Sequence, residues 1–162
     1  MYIQSPTKIP EVISCPSVFI AGGISGCPRW QDEIAVMFEG CGYTYFNPRR
    51  RDDFAKEGSD AEAQILWEYE AIEKTDIMLF WFPKESICPI TLLEYGKSLV
   101  WAKDGKIKKL IVGFENGYPR SFDLKIQTKL VNESDPLVIV ELYKGFDNFK
   151  EAINDLILKG SG

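Results

Sequence analysis

The sequence predicts a three-layer α/β/α domain built on a parallel sheet, and three observations carry that prediction. Short runs of apolar residues alternate with longer segments of helical periodicity along most of the chain. The runs are continuously apolar rather than alternating, the pattern of strands covered on both faces. The 162 residues are enough for one core and few for two.

Residues 1–16 contain three prolines and little periodicity, so they read as an N-terminal arm ahead of a single domain over residues 17–159. Ser17 to Gly22 (SVFIAG) is the first buried strand, and its last glycine opens a GGISG turn. Pro28 suits the first turn of a helix. Trp30, Ile34, Met37 and Phe38 then recur at helical spacing until Gly40 and Gly42 stop it. Tyr43 to Phe46 is a second strand, followed by a polar loop from Asn47 to Gly58. Ser59 and Glu62 have capping-box spacing and open a helix to about Lys74. Ile65, Tyr69 and Ile72 mark its core stripe, with Glu68 about 60° from the stripe's centre.

Asp76 to Phe82 is the most hydrophobic strand and reads as central. A helix over Thr91 to Ala102 follows, then a strand over Lys109 to Phe114. The segment GYPRSFDLKIQTKL shows no well-defined helical face. Leu137 to Leu142 is the fifth strand and Phe146 to Leu158 the last amphipathic helix, with the terminal GSG frayed. Strands alternating with helices give a parallel sheet with helices on both faces. Five strands suggest the flavodoxin-like, doubly wound order 2-1-3-4-5. Such sheets bind ligands at the carboxyl ends of strands 1 and 3. The GGISG turn and the segment leading to Glu94 converge there.

Composition narrows the function classes. A net charge of −5 provides no overall positive field for a nucleic-acid polymer. Cys15, Cys27, Cys41 and Cys88 lack metal-site spacing, and the chain has no histidine. They read as reduced thiols of a cytoplasmic protein. No apolar run is long enough for a membrane span, and the N-terminus lacks a signal pattern.

Without histidine, carboxylates are the candidate general acids and bases. Glu94 has capping-box spacing from Thr91, which is the structural reading. The same position beside a helix N-terminus would keep a carboxylate ionised, as a nucleophile requires. Gly96, two residues on, would let a substrate or a neighbouring backbone approach. Glu68 is either a solvated surface charge or, if partly buried, a proton donor with a raised pKa. Gly22 and Gly23 either make a tight turn or let the backbone approach a sugar or phosphate, with Ser25 adding a hydroxyl. Asn47 and Arg49 lie in a polar loop at the carboxyl end of a strand, where an anion or ribose contact is one reading. Trp81 and Phe82 end the central strand and are either core or a platform for a ring.

VFIAGGISG, FNPRR, QILWEYEAIEKTDIMLFWF, PITLLEYG and VGFENGYPRSFDLKIQT together resemble the nucleoside 2-deoxyribosyltransferase family, in its broader deoxyribosyltransferase-like branch. The resemblance spans most of residues 18–130. It implies a flavodoxin-like sheet and cleavage of an N-glycosidic bond in a nucleoside or nucleotide. It further implies that Glu94 attacks the anomeric carbon to form a covalent glycosyl-enzyme, and that Glu68 handles a proton or positions the base. A free base or water then accepts the sugar, as in retaining glycosidases. Cys88 stands near a position where transferases of the family often carry an aspartate. The resemblance calls for no cofactor and no metal, and it implies a homodimer or larger homo-oligomer. The alternative is a module that binds a nucleotide derivative without turnover, in which Glu94 only caps its helix.

Overall fold

The strand order sets where the two crevice loops meet. The computed structural model of the chain describes residues 1–51, 58–135 and 138–160. Its strands are β1 (Tyr2–Gln4), β2 (Ser17–Gly22), β3 (Thr44–Asn47), β4 (Ile77–Phe82), β5 (Lys109–Phe114) and β6 (Glu141–Lys144). Its helices are α1 (Trp30–Met37), α2 (Ser59–Glu73), α3 (Pro89–Lys103), α4 (Ser121–Ser134) and α5 (Phe146–Gly160). All pairings are parallel in the order β1-β3-β2-β4-β5-β6. Without β1 this is the flavodoxin-like order, with β2 and β4 flanking the switch point.

The sixth strand corrects the reading of residues 1–16 as an arm alone. Tyr2, Ile3 and Gln4 pair with Tyr45, Phe46 and Asn47 at the sheet edge. Ile3 is buried in the core, and the Tyr2 and Tyr45 rings lie 4.8 Å apart. Three residues between turn-forming neighbours are too few to show a periodicity.

Strand alternation divides the core into two layers. Phe19, Met78, Phe80 and Phe82 face α2, α3 and α4, where Trp67, Ala71, Tyr95, Leu99 and Leu124 cover them. Val18, Ile20, Leu79 and Trp81 face α1 and α5, beneath Trp30, Ile34, Phe149 and Ile153.

The stripe expected on α2 lies on the wrong face. Ile65 and Tyr69 are 63% and 57% exposed, and the inward residues are Gln64, Trp67, Ala71 and Ile72. This helix is apolar on two faces, so spacing alone does not say which one is buried. Trp67 settles the choice by burying its ring and donating from Nε1 to the Thr7 carbonyl at 2.7 Å. The same ambiguity hid α4, whose inward Leu124 and Thr128 oppose exposed Phe122, Ile126 and Leu130. The last strand starts at Glu141 rather than near residue 137. The Asn132 amide takes both backbone groups of Val140, each at 2.9 Å, in place of a neighbouring strand. Residues 52–57 of the expected polar loop, residue 137 and the last two residues of the GSG lie outside the described residues.

Candidate active site

Backbone geometry at the start of α3 decides what Glu94 can be. Cys88 adopts a left-handed conformation, φ 53°, and Pro89 takes the first helical position. The helix therefore begins before Thr91, and Glu94 falls in its second turn. Neither expected capping box forms: Thr91 is buried inside the helix, and Ser59 is already helical behind Gly58, with no side-chain cap at either end. The dipole of a helix acts within its first turn, so it does not hold Glu94 ionised.

Burial governs Glu94 instead. Its carboxyl is pushed up to about 8, first by loss of solvent, then by the negative charge of Glu68, against the pull of Lys97. Glu68 is also raised by burial, and a hydrogen bond from Gln64 opposes the rise. The two carboxyls thus share one environment between α2 and α3.

Gln64 breaks the symmetry between them. Its Nε2 donates to Glu68 Oε1 at 2.8 Å and to the Pro48 carbonyl at 2.9 Å, while its Oε1 accepts from Ser5 Oγ at 2.5 Å. Every polar atom of this buried amide is used, so its orientation is fixed. Glu68 therefore receives a fixed donor. Among the described residues, the Glu94 carboxylate has none. A proton shared by the pair resides first on Glu94, and the pair titrates as a unit. On the outer side, Lys97 Nζ sits 4.9 Å from the Tyr69 ring centroid and 4.1 Å from that of Trp101.

The remaining candidates divide by what they already touch. A side chain at Gly22 would meet Trp30 and the Trp81 carbonyl at 2.4 Å, and one at Gly23 would meet Pro83 at 2.6 Å and Cys27 Sγ at 2.8 Å. Close internal packing thus requires both glycines. The Gly23 carbonyl accepts from Trp30 Nε1 at 2.9 Å and Gln31 Nε2 at 3.1 Å, which ties the turn down. Ser25 is exposed at its tip. Asn47 is buried, its amide joined to Tyr2 Oη at 3.2 Å and to the Arg49 N–H at 2.9 Å.

Arg49 braces the turn. Its guanidinium donates to the carbonyls of Cys27 and Pro28 and to Gln31 Oε1, and burial lowers its pKa. Trp81 and Phe82 present no open ring face. Trp81 packs on Phe146 and Phe149 at centroid distances of 4.9 and 5.3 Å, and Phe82 lies 5.2 Å from Tyr118. The core alternative read from sequence is the one these two rings occupy.

Gln64 and Lys97 are the site residues that the sequence reading missed. Gln64 lies one helical turn before Glu68, a signal hidden by the wrong choice of buried face. Among the described residues no cluster of three or more metal-ligating side chains occurs. No helix among them is long and apolar enough to cross a membrane. A groove of about 390 Å³ between α3 and α4, lined by Tyr95, Gly96 and Leu124, lies on the side of α3 away from Glu68.

Residues 15–118 match a protein family described as nucleoside 2-deoxyribosyltransferase like. The matched span contains the turn after β2, Arg49, Glu68 and Glu94. No curated protein matches the chain.

Proposed function

Because the chain belongs to the nucleoside 2-deoxyribosyltransferase-like family, we propose that it cleaves or transfers across the N-glycosidic bond of a nucleoside or nucleotide through a glycosyl ester on Glu94. The observation that carries this reading is the coupled, partly buried Glu68–Glu94 pair. Two carboxyls, one with a fixed donor and one with none, can divide the work of acid and nucleophile.

In the proposed reaction, substrate binding passes the proton that the pair holds on Glu94 to Glu68, and the ionised Glu94 attacks the anomeric carbon. A C–O bond forms as the C–N bond to the base breaks, and Glu68 supplies the proton that the departing base takes up. An acceptor base or water then attacks the same carbon. The ester bond breaks, Glu94 leaves as carboxylate, and Glu68 takes the proton back. The braced turn carrying Gly22, Gly23 and Ser25 would hold the sugar or phosphate end, with Asn47 and Arg49 acting through that brace. The same reading places the protein in the cytoplasm, as a homo-oligomer and with no cofactor.

Burial that keeps Glu94 protonated near neutral pH favours a second reading. A neutral carboxyl binds without attacking, as in a nucleotide-binding module. Incubation with deoxynucleosides and their monophosphates, with and without an acceptor base, separates the two. The enzyme reading expects base release that falls roughly 10³-fold or more in Glu94→Ala, the scale for loss of a nucleophile. Equal release by both proteins would overturn it, and ligand-induced thermal stabilisation without release would favour the binding module.

A further inference from the structure

The first ten residues do more than add an edge strand. Past β1 the chain runs along α2 and is tied to it at three points. Ser5 Oγ donates to Gln64 Oε1 at 2.5 Å, the Thr7 carbonyl accepts from Trp67 Nε1 at 2.7 Å, and the Pro10 carbonyl accepts from Lys74 Nζ at 2.8 Å. The Ser5 N–H donates to the Asn47 carbonyl at 3.0 Å, which carries the pairing of β1 with β3 up to the first of these points. Ile3, Ser5 and Ile9 are all buried. The whole segment lies ahead of residues 15–118, the span that matches the family.

Of the three ties, the one from Ser5 bears on chemistry. An ionised carboxylate only accepts hydrogen bonds, so Gln64 holds Glu68 with the N–H side of its amide. That choice leaves the amide oxygen buried and in need of a donor. Among the described residues, Ser5 Oγ supplies it. Without the hydroxyl the oxygen is unpaired in the interior, which is costly. Turning the amide over gives no relief while Glu68 is ionised, because the oxygen would then oppose both the Pro48 carbonyl and the carboxylate. A protonated Glu68 removes one of those two conflicts by donating to the turned oxygen. Loss of the Ser5 hydroxyl therefore favours protonated Glu68, and its presence favours the ionised form.

We infer that Ser5 is a positioning residue for Glu68: its hydroxyl locks the Gln64 amide with the N–H side toward the carboxylate, so that a strand outside the family-matching span supports the acid of the site. That role rests on the proposed reaction, in which Glu68 handles the proton, while the hydrogen-bonded link itself is readable without turnover.

Carbon-detected NMR titration of the full chain, labelled at the glutamate carboxyls, tests it, with Glu68→Gln identifying the signal. Ser5→Ala should raise the lower of the two apparent pKa values of the pair by about half a unit, the scale of one neutral hydrogen bond. Ser5→Thr, which keeps the hydroxyl, should restore the wild-type titration. Ile3→Val, in the same strand but with no polar side chain, should lower the melting temperature and leave the titration where it was. In the active enzyme, Ser5→Ala should also move the alkaline limb of the kcat profile upward, since that limb reports the proton donor. An unmoved titration in Ser5→Ala would overturn the inference. So would a titration that Ile3→Val moves equally, or a limb that stays in place while the enzyme turns over. A shifted titration in a protein that releases no base would support the positioning of Glu68 and count against the enzyme reading instead.

Discussion

The two helical layers cover the same sheet and are built on opposite rules. α5 carries its apolar residues on one stripe, with Phe149, Ile153 and Leu156 inward and Asp147, Lys150 and Glu151 outward. α2, α3 and α4 are apolar inward and again outward, with a carboxylate pair and a buried glutamine between α2 and α3. A layer that only has to hold a sheet needs one apolar stripe. A second apolar face and partly buried acids add nothing to that task, and the proposed reaction is placed at those acids.

Substitutions on the two layers should therefore differ in kind. The largest stability effect belongs to the first layer. Phe149→Ala, under Trp81 and Phe146, should cost about 3–5 kcal/mol in denaturant unfolding and should not change the pH dependence of stability. A markedly smaller loss would show that this layer is less tightly packed than its ring contacts imply.

On the second layer the sign reverses. Glu94 has a folded pKa of about 8, above its unfolded value. Stability from this group is fully present below pH about 4.3 and is lost as pH rises through about 8. Melting temperature should fall across that window. Glu94→Gln should flatten the fall and stabilise the protein at pH 8, on the order of 2–4 kcal/mol. A capping glutamate would behave oppositely, so destabilisation by Glu94→Gln at pH 8 would contradict the buried-pair account.

Gln64→Ala comes next in size. It leaves Ser5 Oγ, the Pro48 carbonyl and Glu68 without their shared partner and should cost about 1–3 kcal/mol. It should also move the alkaline limb of any pH–rate profile upward, because Glu68, the proton donor, loses the hydrogen bond that favours its charged form. The smallest effect is Leu158→Lys on the exposed side of α5, expected within about 0.5 kcal/mol by thermal unfolding.

The same contrast explains what was legible in the sequence. β2 and β5 were readable to their last residues because a strand buried on both faces is a continuous apolar run. α5 was readable because its stripe is single. The buried face of α2 was not, since Ile65 and Tyr69 mimic a core stripe while facing outward. β1 was too short to register, and the start of β6 depends on Asn132, a side chain that pairs only after folding. Glu68 and Glu94 could be singled out by type and position. Their asymmetry could not, because it comes from Gln64 and from a left-handed Cys88 that starts α3 early.

In the proposed reaction this pair, on the layer with two apolar faces, forms a covalent bond to the sugar at Glu94. Acid-quenched intact-mass analysis with peptide mapping tests it most directly, using a 2′-fluorinated nucleoside whose fluorine slows breakdown of a glycosyl ester. A glycosyl adduct is expected on the peptide that contains Glu94, absent from Glu94→Gln. Base release without an adduct, undiminished in Glu94→Gln, would contradict it.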